Sequence, residues 1–274
     1  MYLGGNVSIA GGFDKCIDRI VTIGGNCLMT FASSPRSLET REISGGEIVK
    51  YLEKKAKHGI GPHFLHGAYL VNLASESKTN LTASLDSLIF YQRFAGQINS
   101  VGTIIHIGSH KGRGFADVVD QIVVAINYIL DSSPKGIRLI LENAAGQAGT
   151  ESDDLKELSQ IISRVGDRSK IGVCLDTQHA FASGYLLDQI LDKFDRAIGL
   201  KHLTLIHLND SKSEFNSRHD RHENLGEGKI GLENLKNFAK DPRLQNIPFI
   251  TEVPGENNSG PRKQDIDLLK SLVV

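Results

Sequence analysis

TIIHIGSHKGRGFADVVDQIVVAINYILD, residues 103–131, holds one complete unit of the fold. An apolar run starting at Thr103 ends on His106. Farther on, across 115–131, Val118, Ile122, Ile126 and Ile129 recur at i, i+4, i+8 and i+11, which is one face of a helix. A short buried strand, a polar residue at its end and an amphipathic helix follow one another, and the same alternation extends in both directions. Candidate strands begin near Tyr2, Cys27, Phe64, Thr103, Arg138, Gly172, Thr204 and Pro248. Helical stripes pass through Ile17, Ile20 and Val21, through Leu155, Leu158, Ile161 and Ile162, and through Leu186, Ile190 and Phe194. Eight units of about 34 residues each match a (β/α)8 TIM barrel, a single α/β domain over residues 1–274. An open doubly wound sheet would need a GxGxxG turn after the first strand, and GGNVSIAGG lacks that spacing.

A barrel brings the C-terminal ends of all its strands to one face, so the active site is expected there. His66, His106, Glu142, Asp176, His207 and Glu252 fall at or just past the ends of strands three to eight, one each. A lone histidine in such a place is more often a satisfied core or rim residue, and a lone Asp or Glu is more often a helix N-cap. Six together, each in an apolar setting, are hard to explain one by one. His179 leaves the same strand end as Asp176, and Asp220-Arg221-His222 places alternate residues on one side if extended. These nine imidazoles and carboxylates are zinc-ligand types, too many for one ion and suited to a cluster of three sharing a carboxylate. The other histidines, His58, His63, His110, His202 and His219, read as structural or supporting residues, with His110 a candidate for orienting a phosphate.

Composition limits the alternatives. With 40% hydrophobic residues the chain can bury a large core. Its apolar stretches are broken well before the roughly 20 residues a membrane span needs. MYLGGNVSIAGG does not read as a secretory signal, so a cytoplasmic protein is expected. Cys16, Cys27 and Cys174 have no CxxC spacing and read as small buried side chains. A net charge of −1 shows no basic excess for nucleic acid, yet several bound divalent cations would reverse the local sign.

At these residues the chain resembles the endonuclease IV family, the zinc-dependent apurinic/apyrimidinic (AP) endonucleases of base-excision repair. The resemblance extends from GGNVSIAGG to ITEVPG and is most specific in HGAYLVNL (66–73), GVCLDTQHAFASGY (172–185) and HLNDSKSEFNSRHDRHENLGEG (207–228). It implies one zinc on His66, His106 and Glu142, with Glu142 bridging to a second on Asp176, His207 and Glu252. A third would take His179, Asp220 and His222. Glu142 would act as the catalytic carboxylate that positions a hydroxide for attack on the phosphodiester 5′ to an abasic site in duplex DNA. The products would be a 3′-hydroxyl and a 5′-deoxyribose phosphate, and blocked 3′ ends would be trimmed at the same site. Arg36, Tyr69 and Leu70 align with the side chains that enter the duplex, and a monomer is expected. The sequence departs from the family pattern at Asn6, Ile107, Gln178 and Asn216, and most of all in the loop 31–42, but at none of the ligand positions. A metal-dependent sugar isomerase or epimerase on the same barrel is the alternative; the set His179, Asp220 and His222 has no obvious use there.

Overall fold

Every expected strand forms within one residue of its anticipated start. The computed structural model describes residues 1–150 and 152–273. Its strands are β1 (Leu3–Asn6), β2 (Cys27–Thr30), β3 (His63–His66), β4 (Gly102–Ile105), β5 (Arg138–Glu142), β6 (Ile171–Asp176), β7 (Leu203–His207), the two-residue strands β8 (Asp210–Ser211) and β9 (His222–Glu223), and β10 (Phe249–Thr251). Among the described residues, eight of them (β1 to β7 and β10) close a parallel barrel, with β1 hydrogen-bonded to both β2 and β10. Strands β8 and β9 form a small antiparallel ribbon that pairs Ser211 with His222. The helices are α1 (Lys15–Thr22), α2 (Gly45–Lys57), α3 (Lys78–Gln97), α4 (Phe115–Asp131), α5 (Leu155–Arg164), α6 (Thr177–Ala182), α7 (Leu187–Ala197), α8 (Leu232–Ala239) and α9 (Lys263–Leu272).

The barrel is filled by an apolar cluster drawn from seven strands: Cys27, Met29, Phe64, Ile104, Ile140, Cys174, Leu205 and Ile250. Strand β1 contributes no side chain to it, because a Cβ at Gly4 would stand 1.9 Å from the Cys27 carbonyl oxygen. The two strands approach too closely for anything but glycine. Outside the strands, Val118, Ile122, Ile126 and Ile129 of α4 are all fully buried, as their spacing predicts. Two stripes are corrected. Leu186 is 44% exposed at the N-cap of α7, whose buried face is Leu187, Ile190, Leu191 and Phe194. Val21 is also on the surface, and α1 buries Cys16, Ile17 and Ile20. All three cysteines are free and buried. Among the described residues, no helix is long and apolar enough to cross a membrane.

Candidate metal centre

Side chains alternate across a strand, so a residue two past an inward-facing one also faces inward. Phe64, Ile104, Ile140, Cys174, Leu205 and Ile250 point into the barrel. Two residues further along each strand are His66, His106, Glu142, Asp176, His207 and Glu252. The six predicted positions are therefore the next layer of the barrel interior, stacked on the apolar one at the C-terminal mouth. Applying the same step to Gly4 and Met29 gives Asn6 and Phe31. Asn6 Nδ2 donates to Glu252 Oε1 at 3.1 Å, and the Phe31 ring lies 5.2 Å from that of His66, so both border the centre.

At this mouth the donor atoms form three groups. His66 Nε2 is 3.2 Å and His106 Nε2 is 3.7 Å from Glu142 Oε2. The other oxygen of Glu142 faces the second group, with Oε1 2.9 Å from His207 Nδ1, which is itself 3.0 Å from Glu252 Oε2 and 3.8 Å from Asp176 Oδ2. In the third, Asp220 Oδ1 is 3.4 Å from His179 Nε2 and 3.6 Å from His222 Nε2. Asp176 Oδ2 also lies 3.7 Å from His222 Nε2, so this carboxylate stands between the second and third groups. All nine predicted donors thus meet at one mouth.

The spacing fits zinc. Four ligands at about 2.0–2.1 Å in a tetrahedron stand about 3.4 Å apart, close to the 3.2–3.8 Å seen for most of these pairs. His222 Nε2 is buried with no hydrogen-bond partner, as expected of a lone pair directed at a cation. One ring nitrogen of His66 and one of His179 are tied to backbone carbonyls, the latter also 3.4 Å from Glu142 Oε1. His66 Nδ1 donates to the Gly67 carbonyl at 2.7 Å and His179 Nδ1 to that of Asn143 at 2.9 Å, which leaves each Nε2 as the lone-pair nitrogen.

Supporting residues that were not predicted are mostly asparagines. Asn209 Nδ2 donates to Asp176 Oδ2 at 2.6 Å, while its Oδ1 accepts from the Glu252 N–H at 2.7 Å. Asn143 bonds the Asp176 backbone through both ends of its amide. Their signal in the sequence was position, directly after Glu142 and two after His207. Electrostatics bind the groups together. Burial would raise the Glu142 carboxyl, but the neighbouring His207 and His106 outweigh it and hold it well below the usual carboxylate range. Burial opposes protonation of His179, yet the carboxylates of Asp176 and Asp220 hold it well above its ordinary value. Glu252 is likewise pulled to about 2, its burial overcome by His207.

At the rim, Tyr69 and Leu70 are more than half exposed and Arg36 lies on the surface. The Tyr69 N–H donates to the Pro35 carbonyl at 2.9 Å, and its ring meets Phe31 edge-on at 5.3 Å, so the three rim residues sit on two joined loops. A cavity of 320 Å³ runs from Tyr69 down to His66, His179, His222 and Glu252. His110 holds its own loop, its Nδ1 accepting the Gly112 and Gly114 N–H groups at 3.0 Å each. Asn216 adopts φ +57°, a left-handed conformation open to asparagine.

Residues 17–272 match the family model described as xylose isomerase-like TIM barrel. A probable endonuclease 4 of Halothermothrix orenii is 39% identical over 278 residues, covering 99% of both chains. Endonuclease IV from Thermus thermophilus superposes with a TM-score of 0.87 at 31% identity, covering 99% of this chain and 98% of that one. A D-tagatose 3-epimerase-like protein superposes at 0.75 with 17% identity over 99% of this chain and 97% of that one, a likeness of fold alone. With the barrel, the mouth layer and identity along the whole length in agreement, the chain belongs to the endonuclease 4 family.

Proposed function

We propose that this chain hydrolyses the phosphodiester 5′ to an abasic site in duplex DNA, leaving a 3′-hydroxyl and a 5′-deoxyribose phosphate, and that it trims blocked 3′ ends at the same mouth. Three zinc ions are assigned to it: one on His66, His106 and Glu142, one on Glu142, Asp176, His207 and Glu252, and one on His179, Asp220 and His222. Zinc there supplies positive charge for a phosphodiester and the Lewis acidity that makes hydroxide available near neutral pH. The observation that carries this reading is the third donor group, which stands beside Asp176 and extends the centre beyond the one or two ions of a sugar-isomerising barrel.

The chain's own residues then have separate tasks. Glu142 turns one oxygen to each of two donor groups and so fixes the separation of their occupants. Asn6 and Asn209 orient Glu252 and Asp176. Four carboxylates without cations would repel DNA, so substrate binding and metal loading are linked. Arg36, Tyr69 and Leu70, exposed at the rim, would enter the duplex and occupy the space beside a flipped-out sugar. Flipping costs least where no base is stacked. A monomer suffices for this geometry, and free buried cysteines suit a reducing cytoplasm.

The test is an end-labelled duplex containing one tetrahydrofuran abasic analogue, which cannot undergo β-elimination. A zinc-dependent nick immediately 5′ to the analogue is expected. An intact strand from folded, zinc-loaded protein would overturn the assignment, and turnover of a free ketose by that sample would favour an epimerase.

A further inference from the structure

Gln178, one of the departures from the family pattern, stands immediately before His179 on α6 and is fully buried. Its amide Nε2 lies 3.1 Å from the His219 carbonyl, 3.2 Å from Ser211 Oγ and 3.3 Å from Ser213 Oγ. Ser213 Oγ donates to the same His219 carbonyl at 2.7 Å, and Ser211 Oγ donates to the Ser213 carbonyl at 2.8 Å. These contacts clamp the near side of the loop that begins on β8 and ends at Asp220 and His222. The far side of the loop is held by backbone bonds from Asn216 N to Phe181 O and from Arg218 N to Ala182 O.

The cost of the arrangement shows where it acts. Gln178 Oε1 is buried with no hydrogen-bond partner. Exchanging the two ends of the amide would set Oε1 against the His219 carbonyl, acceptor on acceptor, so that carbonyl fixes the orientation. A side chain kept only to fill space would not carry an unpaired oxygen, because an apolar residue of similar volume avoids it. The residue next in sequence is His179, whose Nε2 faces Asp220. Two consecutive residues of α6 therefore bear on one donor group, His179 directly and Gln178 through the loop that carries Asp220.

We propose that Gln178 is a positioning residue for the third metal ion, holding the 211–219 loop so that Asp220 and His222 converge on His179. The proposal rests on the three-zinc reading above. Its test is Gln178→Met, which keeps the volume and removes the N–H donors. Metal-stripped wild type and variant are dialysed against a series of buffered free-zinc concentrations, and bound zinc is counted by mass spectrometry. Alongside, hydrogen exchange of residues 212–221 and the Tm of the metal-free protein are measured. Two ions should bind the variant as they bind wild type, and the third should weaken by about 10- to 100-fold, the usual effect of losing a residue that orients a metal ligand. Exchange in 212–221 should rise while the metal-free Tm holds. Ser213→Ala, which removes the second donor to the His219 carbonyl, should weaken the same ion less. An unchanged third constant in Gln178→Met with three ions on wild type would overturn this inference alone. Equal weakening of all three ions, or a falling metal-free Tm, would show a general structural role and overturn it too. Wild type holding fewer than three ions would sink the three-zinc reading and this inference together.

Discussion

Asp210 offers a direct test of how the mouth is held together, because its oxygens can be accounted for one by one. It lies three residues past His207, fully buried. Its Oδ1 accepts from the N–H groups of Ser211 at 2.8 Å, Ile230 at 3.0 Å and Gly231 at 3.3 Å, and its Oδ2 from those of Gly226 at 2.9 Å and Gly228 at 3.1 Å. The carboxylate thus takes the place of secondary structure for the 226–231 turn. Asp210→Asn preserves the shape but keeps one acceptor oxygen. In the better orientation the amide oxygen faces the three donors, and the NH2 confronts the Gly226 and Gly228 N–H groups. Both N–H groups are only part-buried, so water recovers some of the loss and each costs less than a fully buried donor, for which about 1–3 kcal/mol is usual; a loss of about 1–3 kcal/mol in all is expected. That is a measurable share of the roughly 5–15 kcal/mol typical of a folded protein. Urea unfolding of metal-free protein, followed by far-UV circular dichroism, measures it as a lower midpoint at unchanged slope. A loss below about 1 kcal/mol would mean that these N–H groups find other partners, and the accounting would be wrong.

Gly228→Ala should reproduce part of that loss by another route, since the new Cβ would stand 2.5 Å from Asp210 Oδ1 and 2.6 Å from the Ser211 carbonyl oxygen; an unchanged urea midpoint would refute the close approach. Glu142→Ala should leave the circular dichroism of the barrel intact while abolishing incision and lowering zinc content, and retained cutting would remove the bridging role assigned to it. Chelation should lower Tm, because a ligand present at about 1,000 times its Kd stabilises the native state by about 4 kcal/mol; identical melting with and without chelator would count against a metal centre. Tyr91→Phe removes the buried phenol oxygen that lies 3.3 Å from both the Ala32 and Ser33 N–H groups, so amide exchange should speed up at those two residues and spread towards Arg36. Protection unchanged from wild type would show that α3 does not anchor that loop.

The barrel was legible because its two periods are local. The 3.6-residue stripe of α4 and the short apolar runs depend on neighbours in sequence, and packing reinforced them. Failures came where one residue decides a boundary, as at Leu186, which stands at the N-cap position of α7, before its buried face begins. The mouth layer was legible for a different reason. Its residues are polar exceptions two positions past an apolar one, and a barrel has only one place to put them. Phe31 is an apolar member of that layer and carries no polar signal, while Asn6, a departure from the family pattern that could alter a contact near the pocket, reaches it by the same alternation. Asn209 offers the sequence only its position two after His207, because its partners, Asp176 and Glu252, are brought together by strand order.

Asp176 shows why weighing a structural role against a functional one can mislead. Sequence reasoning sets the helix N-cap against the metal ligand as competing explanations for a carboxylate at a strand end. In the structure, Asp176 Oδ1 accepts the His179 N–H at 2.8 Å and caps α6. Its Oδ2 meets Asn209 and points between His207 and His222. The cap spends one oxygen and fixes the torsion angles that aim the other, and it sets the first turn of α6, which carries His179. One side chain therefore positions a donor from each of two groups through the backbone bond it makes as a cap. It follows that Asp176→Asn, which can keep the cap through its amide oxygen, should preserve α6 and still weaken zinc binding. Asp176→Ala should additionally fray the first turn of α6, seen as faster exchange of the His179 amide. Equal exchange in the two variants would show that capping and donor placement are independent.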